Sequence, residues 1–466
     1  MSKIVKIFLL AVSALLLFFL GMAVSHFELL PYQQVVEFRK SPLLKPFKSA
    51  VRQTSGTPEA VTAAVQNSAL QRLLVKEVPL EKFPDLSSTY IVETSGMLHV
   101  VSTHGEFTSF DLNSYRKVDP EIPSLPMYLD ELRESPLVNG GSFNEKNFRV
   151  MGVYAESDDS VGATWHLYVT HHRYETDEAC VSFVMSRIEL NDGAAASGWE
   201  TLFTGSPCMR TLIGMEGGSQ QFHIRQTSGG AITPYGEDEL LFSVGDYGFD
   251  GLIHESLLGM PGSMFGNVYK FNTITGETDV FAKGLRNTQG MYTDSSGTVW
   301  GTEHGPGGGD EINIIRQGQH YGWPEVTYGI EYGNQPWPHN PEQGRHSGYD
   351  KPVYVWINAI APSNILRIEQ DQMFSEWSGD LLVTSLEDRA LHRLRVEEDN
   401  SIIYSERIEV GYRIRNMQQL SNGSIALMTD HKVLVIIEDG GPVYEPMNEE
   451  VKARLMDLNR YDGFLE

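Results

Sequence analysis

The chain has 466 residues, 41% of them hydrophobic, so it can bury a large core in one repeat-built domain or in two ordinary ones. It carries 61 acidic and 36 basic side chains and a formal net charge of −25. Such a surface repels phosphate backbones, so we expect no nucleic-acid partner. The acidity favours solubility and singles out no particular substrate.

The first 27 residues have the composition of a membrane segment. Lys3 and Lys6 precede an uncharged apolar run over residues 7–24, which just reaches the length that spans a bilayer. The basic residues in front of the run and Glu28 behind it place the N-terminus in the cytoplasm and the body of the protein outside. We predict a retained single-pass transmembrane helix in the inner membrane, with a periplasmic globular domain. The alternative is a signal peptide cleaved at the small residues 23–25, which would release a secreted protein.

The segment from residue 28 to residue 84 is predicted to be a stalk. Pro42, Pro46 and Pro58 interrupt it, and residues 59–74 could form a short amphipathic helix. We divide the chain into a membrane segment, a stalk, a globular domain and a helical or irregular tail. These parts cover residues 1–27, 28–84, 85–440 and 441–466.

From residue 85 onward the pattern changes to strands and turns, and it repeats. A turn residue followed by an apolar strand recurs at residues 95–101, 164–170, 238–244, 297–302, 379–384 and 423–429. Six such units with further strands between them are typical of a repeating all-β array, and radial repetition leaves only short sheet edges. We therefore predict an all-β fold, a six-bladed β-propeller, with these segments as its inner strands. A two-sheet sandwich is the alternative, but it does not predict six similar units.

Cys180 and Cys208 are the only cysteines, and both lie in the exported part. Two cysteines in an oxidising compartment often pair, and these two lie on neighbouring predicted strands. A bridge across a loop of this size would stabilise the fold by about 3 kcal/mol in the chain-entropy model. The alternative is two buried free thiols.

The segment from Gly301 to Pro324 combines many glycines with two adjacent carboxylates, Asp310 and Glu311. Glycine lets the backbone approach a bound group closely and expose its carbonyls. Hard cations such as calcium are held by carbonyl oxygens together with carboxylates. A purely structural turn would need one or two of these glycines rather than the whole set. We interpret the segment as an oxygen-rich loop for an ion or a cofactor.

A second dense motif covers residues 284–290, Gly-Leu-Arg-Asn-Thr-Gln-Gly. Arg286 supplies forked donors that suit a carboxylate or quinone oxygen, and Asn287 adds a donor and an acceptor. Between glycines at the start of a blade, both side chains are expected to point toward a channel mouth. The alternative is an arginine that bonds backbone carbonyls between blades.

In this order and spacing, the motifs resemble the glucose/sorbosone dehydrogenase family, soluble-type sugar dehydrogenases that use pyrroloquinoline quinone (PQQ). The segments that carry the resemblance are residues 284–290, 303–313, 320–324, 360–363, 377–380, 413–416 and 427–430. The resemblance covers roughly the last half of the chain well and residues 85–220 loosely. It implies a six-bladed propeller independently of the repeat pattern.

The resemblance also implies a set of site residues. In the family, the quinone lies flat over the channel mouth, and calcium bridges it to two backbone carbonyls. The matching carbonyls belong to Gly305 and Pro306, and a second, structural calcium region matches Glu311 and Tyr321. The positions that match the quinone contacts are Arg286, Asn287, Arg413 and Arg415. Positive groups there suit the three carboxylates and the polarised carbonyl of the cofactor.

The family's catalytic base is missing from its expected position. Family enzymes have a histidine just before a Gly-Gly-Arg strand entry, and this histidine takes the proton from the sugar hydroxyl. Here Thr227 stands at the histidine position and Ala231 at the arginine position. His223, four residues before Thr227, is the remaining candidate for the base. Asp246 matches the family's strand-end aspartate.

A second departure concerns the cofactor carboxylates. Family members place a lysine after a Ser-Leu pair, where this chain has Glu387. A carboxylate in place of a cation would repel the cofactor by several kcal/mol if it were poorly solvated. Arg389 is expected to reach across in compensation.

Taken together, the residues predict a membrane-anchored periplasmic oxidoreductase that oxidises an aldose sugar or a related alcohol with PQQ and calcium. Electrons would pass to a membrane quinone or a periplasmic carrier. The alternative is a catalytically inert propeller that binds a glycan or a protein on the same face. The missing histidine and lysine favour that alternative, and the conjunction of arginines at the site opposes it. A propeller hydrolase or lactonase is disfavoured because no nucleophile constellation is recognisable.

Overall fold

The computed structural model describes residues 62–68, 71–79, 89–118, 122–138, 147–158, 164–209, 227–252, 256–340, 342–369, 373–431 and 433–442. All of them belong to one compact unit, residues 61–466. Within these residues, the strands form six antiparallel sheets of four or five strands. Helical segments in the described part are short, α1 over Leu129–Glu134 and a 3-10 helix over Ser375–Trp377.

Each sheet is one blade, in which the strands succeed one another from the axis outward. Blade 1 contains β3 (Tyr90–Thr94), β4 (Met97–Val101), β5 (Phe107–Asp111) and β6 (Lys117–Val118). Blade 2 contains β7 (Val150–Asp158), β8 (Thr164–Glu175), β9 (Cys180–Asn191) and β10 (Ala194–Ala195), and β11 (Glu200–Thr204) also pairs with β9. Blade 3 contains β12 (Gly229–Pro234), β13 (Glu239–Val244), β14 (Asn267–Asn272) and β15 (Thr278–Lys283).

The remaining blades come from the C-terminal half and from the start of the described chain. Blade 4 contains β16 (Gly290–Thr293), β17 (Val299–Glu303), β18 (Asp310–Ile314) and β19 (Tyr354–Trp356). Blade 5 contains β20 (Pro362–Arg367), β21 (Leu381–Ser385), β22 (Ala390–Val396) and β23 (Ile402–Glu409). Blade 6 contains β24 (Ile414–Gln419), β25 (Ile425–Thr429), β26 (Val433–Pro442), β2 (Gln71–Pro79) and β1 (Thr62–Asn67).

The six blades close into a ring around a central channel. The first strand of each blade contacts the first strand of the next, and β24 of blade 6 contacts β3 of blade 1. Apolar side chains fill the spaces between blades, such as the fully buried Trp300 and Ile312 between blades 4 and 5. The predicted six-bladed β-propeller is therefore confirmed.

The six segments that the sequence pattern predicted as inner strands are in fact the second strands of the blades. They correspond to β4, β8, β13, β17, β21 and β25. A second strand is paired on both edges and covered on both faces, so most of its residues are buried and it contains a short apolar stretch. The innermost strands begin at a polar channel mouth, and β7, β12, β20 and β24 contain register shifts near their first residues. Their apolar pattern is therefore weaker.

The ring is closed by strands that the sequence pattern had placed in the stalk. β2 pairs with β26 in the last blade, and β1 continues that sheet outward. The amphipathic helix expected over residues 59–74 is wrong for residues 62–67 and 71–74, which are strands. Long-range pairing with β26 overrides the local pattern, and the propeller includes residues from 62 onward.

Cys180 and Cys208 form a disulfide bond, with Cα atoms 5.8 Å apart. This settles the open alternative in favour of the bridge, which joins β9 to the segment after β11. No helix in the described residues is long and apolar enough to cross a membrane. The predicted anchor over 1–27 and the tail beyond residue 442 lie outside the described residues, so both stay predictions.

Candidate cofactor site

The start of each innermost strand and the end of the second strand meet at one mouth of the channel. Strand pairing places Gly229 opposite Val244, and Gly290 opposite Thr302. Residues just before an inner strand therefore lie beside residues just after the second strand of the same blade. Hydrogen bonds then link neighbouring blades, for example from the backbone N–H of Gly229 to Asn287 Oδ1 (3.1 Å). Most of the predicted site residues lie at this mouth.

Arg286 holds the glycine-rich loop from the side of the channel. Its Nη1 donates to the carbonyls of His304 (3.2 Å) and Gly305 (3.0 Å), and its Nη2 donates to the hydroxyl of Tyr332 (3.2 Å). The guanidinium also lies over the ring of Trp323, 5.3 Å from its centroid. The sequence left two alternatives for Arg286, a bond to backbone carbonyls between blades or a position at the channel mouth. The structure combines them, because Arg286 bonds backbone carbonyls at the channel mouth.

Glu303 holds the Arg-Asn motif in place through hydrogen bonds to Asn287 and Thr288. No role was assigned to it from the sequence. One carboxylate oxygen accepts a hydrogen bond from the Asn287 backbone N–H, and the other accepts from Thr288 Oγ1 (2.8 Å). Burial raises the pKa of Glu303 to about 7, although these bonds and Arg286 oppose the shift. The sequence could have indicated this role, because Glu303 directly precedes the His-Gly-Pro sequence of the glycine-rich loop.

The glycines of the loop are required by backbone packing. A Cβ on Gly305 would overlap the carbonyl oxygen of Gly308. Gly308 has a φ of +83°, and a Cβ there would overlap the carbonyl oxygen of Ile357. The expectation that a structural turn would need only one or two of these glycines is therefore wrong, and glycine content alone does not indicate a ligand.

Asp310 shapes the same loop through backbone contacts. Its Oδ1 accepts from the N–H of Gly305 (3.0 Å), and its Oδ2 accepts from the N–H groups of Ile360 and Ala361 (2.8 Å each). Three backbone donors thus satisfy this buried carboxylate. Asp310 fixes the position of the Gly305 carbonyl and links blades 4 and 5.

The carbonyls of Gly305 and Pro306 have the chemistry that a calcium ion needs. They are adjacent, uncharged oxygen donors at the channel mouth, and calcium accepts backbone carbonyls among its ligands. The Gly305 oxygen already accepts from Arg286, but a carbonyl has two lone pairs. A divalent ion beside this guanidinium would be repelled unless an anionic ligand shared the site. The residues therefore fit calcium best together with an acidic cofactor.

Tyr321 and Glu311 lie deeper, behind the loop. The Tyr321 hydroxyl donates to the Ile314 carbonyl and accepts from the Arg316 N–H (2.8 Å). The Tyr321 carbonyl accepts from Nε2 of His346 (2.7 Å), a residue that sequence reasoning missed. These contacts already satisfy Tyr321 within the protein.

A small cavity lies beside this pair. Its volume is about 20 Å³, room for roughly one water molecule, and Glu303, Glu311 and His346 are among the residues that line it. Glu311 Oε1 is 4.0 Å from His346 Nδ1, and burial raises the pKa of Glu311 to about 8. The assignment of a structural calcium to Glu311 and Tyr321 stays a prediction.

The two late arginines share one carboxylate, Asp430. Arg415 bonds both oxygens of Asp430 through Nε (3.3 Å) and Nη2 (3.2 Å), and Arg413 Nε is 3.3 Å from Oδ2. Arg415 also donates to Gln289 Oε1 (3.4 Å), which joins blade 6 to blade 4 across the channel. Asp430 is the last residue of the motif over 427–430 but had no role assigned from the sequence.

Glu387, at the expected lysine position, faces solvent and pairs with an arginine. Its side chain is 70% exposed, and Arg413 Nη1 is 3.6 Å from Glu387 Oε2. The same Nη1 donates to the Leu386 carbonyl (3.3 Å). The cation that pairs with Glu387 is thus Arg413, and within the described residues no ion pair joins Arg389 to Glu387. Solvent exposure weakens the repulsion expected from Glu387.

Thr227 and Asp246 lie together at the expected position of the base. Burial raises the pKa of Asp246 above its usual value, although the positive charge of Arg286 and, to a lesser extent, the Thr227 hydroxyl lower it. Asp246 accepts from Trp323 Nε1 (2.9 Å) and from the Gly248 N–H (2.8 Å). Ala231 faces the apolar core of blades 3 and 4. His223 lies outside the described residues, so its role as the base stays a prediction.

Arg149 is the main site residue that sequence reasoning missed. It directly precedes the inner strand β7, just as Arg413 directly precedes the inner strand β24. This shared position could have indicated from the sequence that Arg149 belongs to the site. Its side chain is buried, and Nη2 donates to Ser228 Oγ (3.3 Å). Burial, together with the like charge of Arg415, lowers the pKa of Arg149 to about 10, where it remains cationic at neutral pH.

The fold and this site define a class: a six-bladed propeller whose axial mouth combines buried arginines with a carbonyl-rich loop. The family model of Glucose / Sorbosone dehydrogenase matches residues 158–437, more than half of the chain. The chain therefore belongs to the glucose/sorbosone dehydrogenase family, which confirms the resemblance found in the motifs.

Two curated relatives are similar over part of their length. An uncharacterised protein of Synechocystis sp. is 31% identical over 259 residues, which cover 51% of this chain and 59% of that protein. An aldose sugar dehydrogenase of Escherichia coli (strain K12) is 33% identical over 158 residues, which cover 33% of this chain and 41% of that enzyme. The chain thus matches less than two thirds of the length of either relative.

Solved structures share the fold. The soluble aldose sugar dehydrogenase of Escherichia coli, in its apo form, superposes with a TM-score of 0.60 at 19% identity. That likeness covers 78% of this chain and 99% of the other. The PQQ-bound aldose sugar dehydrogenase of Streptomyces coelicolor superposes with a TM-score of 0.53 at 19% identity, over 78% of this chain and 98% of the other.

Proposed function

We propose that this chain is a quinoprotein oxidoreductase that oxidises an aldose sugar or a related alcohol with PQQ and calcium. The observation that carries the proposal is the group of three buried arginines at one channel mouth, Arg149, Arg286 and Arg415, beside the Gly305 carbonyl. Guanidinium groups gathered at a partly enclosed mouth create a positive potential that favours an anionic ligand. A cofactor with three carboxylates meets that requirement.

The residues divide the work of binding and positioning. Arg286 and Arg415 supply donors for cofactor oxygens, and the carbonyls of Gly305 and Pro306 supply calcium ligands. Asn287 is fixed in place because its side-chain oxygen accepts from Gly229. When bound, the quinone accepts a hydride from the substrate carbon that bears the hydroxyl group.

The hydroxyl proton requires a basic group on the protein. We propose His223 for this role, because it is the histidine nearest in sequence to the position where the family has its base. Asp246 is the carboxylate beside Thr227 at that position, and its raised pKa suits a group that receives a proton transiently. Thr227 itself has no suitable pKa for proton abstraction near neutral pH.

The inert-scaffold alternative is less well supported. A propeller that only binds a partner through surface contacts has no need to bury three guanidinium groups, each of which is costly to remove from water. Family membership and the retained Arg-Asn motif also favour redox function. Glu387 does not argue strongly against a quinone, because it is solvent-exposed and near Arg413.

The place of action is part of the proposal. The apolar run over residues 7–24 favours an inner-membrane anchor with the propeller in the periplasm. The disulfide between Cys180 and Cys208 is consistent with an oxidising compartment. An anchor would also keep the enzyme near a membrane quinone as electron acceptor.

A dye-linked assay tests the function directly. The full chain, purified in detergent and supplied with calcium and PQQ, is expected to reduce an artificial electron acceptor with at least one member of an aldose panel. The variant His223→Ala is expected to lose most of that activity while still binding PQQ. Binding of PQQ without turnover on any aldose or alcohol would contradict the proposed reaction.

A further inference from the structure

His346 places an imidazole nitrogen at the small cavity beside Glu311. Its Nε2 lies 2.7 Å from the Tyr321 carbonyl oxygen, and because a carbonyl can only accept, Nε2 carries the hydrogen. In a neutral imidazole, the lone pair then lies on Nδ1. The His346 side chain is 2% exposed and lines the cavity, and within the described residues its Nδ1 has no hydrogen-bond partner. A buried nitrogen acceptor is therefore available to a ligand in the cavity.

Glu311 presents a carboxylate oxygen to the same nitrogen. Its Oε2 accepts from Asn313 Nδ2 (3.1 Å), which orients the carboxylate, and its Oε1 lies 4.0 Å from His346 Nδ1. This separation is too long for a hydrogen bond between the two atoms, and both are acceptors when Glu311 is ionised. A zinc ion bonds imidazole nitrogen and carboxylate oxygen at about 2.1 Å each, so one ion between these two atoms reaches both.

The other residues that line the cavity suit a cation. Glu303 and Thr327 carry further oxygen donors, and the volume of about 20 Å³ holds roughly one water molecule or one ion. The charged side chains of the lining are Glu303, Glu311 and Arg286. Two ionised carboxylates against one guanidinium leave one net negative charge, which a divalent ion offsets.

We propose that His346 and Glu311 bind a divalent transition-metal ion, with zinc as the best match, in the cavity where the family resemblance places a structural calcium. The lining does not fit calcium, because calcium takes oxygen ligands, whereas an imidazole nitrogen suits zinc and its neighbours in the first transition row. Histidine ligands of metals commonly donate their other N–H to a backbone carbonyl, as His346 Nε2 does to Tyr321.

The ion would have a structural role. It would join β18, which carries Glu311, to the connection over residues 315–353, which carries His346. This inference is independent of the proposed oxidation, because neither residue is assigned to the quinone.

Metal titrations of the full chain test the site. The protein, purified in detergent without a histidine tag and stripped of metal with a chelator, is titrated with Zn²⁺ and separately with Ca²⁺ in the absence of PQQ. We expect one Zn²⁺ per chain, bound at least about 100-fold more tightly than Ca²⁺, and a melting temperature that rises with Zn²⁺. His346→Gln keeps an N–H donor for the Tyr321 carbonyl but loses the imidazole, so it should bind Zn²⁺ at least about 100-fold more weakly. His320→Gln is the matched control, because His320 is exposed and is not among the residues that line the cavity, and it should bind Zn²⁺ as the wild type does.

The remaining outcomes decide against the site. Tighter binding of Ca²⁺ than of Zn²⁺ would overturn the inference and favour the structural calcium. Zn²⁺ binding that persists in His346→Gln would place the ion elsewhere on the chain, and no bound metal would leave the cavity to water. If His346→Gln does not fold, pulsed electron paramagnetic resonance of the wild type with one equivalent of Cu²⁺ decides: one coordinated imidazole is expected, and none would overturn the inference. PQQ binding and the dye-linked assay report separately on the proposed function.

Discussion

The hydrogen bond from Trp323 to Asp246 offers a sharp test of how the site is held together. The Trp323 Nε1 donates to Asp246 Oδ2 (2.9 Å), and the other oxygen accepts from the Gly248 N–H (2.8 Å). Replacing Trp323 with Phe removes the side-chain donor but keeps an aromatic ring beneath Arg286. Asp246 stays buried and loses one of these two bonds.

The magnitude follows from the charge of the acceptor. A hydrogen bond to a charged group contributes about 1.5–3 kcal/mol, and one between neutral groups about 0.5–1.5 kcal/mol. Trp337 is a matched control, because it is equally buried and its Nε1 donates to the neutral carbonyl of Pro324 (2.7 Å). Both Trp→Phe changes remove the same volume, so packing losses nearly cancel. We expect Trp323→Phe to lower the free energy of unfolding by about 1–1.5 kcal/mol more than Trp337→Phe.

The two variants should also differ in their dependence on pH. Burial raises the pKa of Asp246, so the folded state holds its proton to higher pH than the unfolded state does. The stability that comes from such a group is greatest below its unfolded pKa and is lost as pH rises through its folded pKa. Trp323→Phe raises that folded pKa further, so its extra deficit is full at pH values above the folded pKa of Asp246 and shrinks as pH falls through that pKa.

Urea denaturation from about pH 8 to about pH 5, with the full chain and both variants, measures these quantities. The deficit of Trp337→Phe should be independent of pH. Equal deficits for the two variants at every pH would show that Asp246 does not depend on the indole donor, and would refute this description of the site.

Further predictions concern the bridge, the ion and the base. Replacing both Cys180 and Cys208 with Ser should lower the free energy of unfolding by about 3 kcal/mol, measured by urea denaturation; no change would contradict the loop-entropy estimate. Calcium should bind at least about tenfold more tightly when PQQ is present, because Arg286 Nη1 lies 3.0 Å from the Gly305 oxygen and repels an unaccompanied cation. Calorimetric titrations with and without PQQ measure this coupling, and equal affinities would contradict it. Thr227→His should raise kcat in the dye-linked assay by restoring an imidazole at the family's base position; an unchanged kcat would show that proton removal does not limit turnover.

The fold was predictable because the second strand of each blade is mostly buried and contains a short apolar stretch. A strand such as β21 is buried at every position, so its sequence stands out without any knowledge of its partners. The innermost strands were missed because β12 and β24 start at the polar mouth and shift register there. The closing strand β2 was missed because its partner, β26, lies more than 300 residues away in the sequence. Local patterns do not show which distant strand completes a blade.

The site was predictable only where its residues form a continuous motif. Arg286 was found from its neighbours in the sequence, and the structure places it at the mouth. Arg149 acquires its meaning from Ser228, 79 positions away, and Arg415 reaches Gln289, 126 positions away. Such contacts depend on ring closure, so single-segment patterns do not show them.

Binding of PQQ to the full chain tests the central claim most directly. The detergent-purified protein, stripped of divalent ions and then incubated with calcium and excess PQQ, is separated from free cofactor, and the bound quinone is measured by its absorbance. The arginine-lined mouth predicts one PQQ per chain, with binding lost when calcium is chelated. No retained quinone at a large excess of PQQ and calcium would contradict the account.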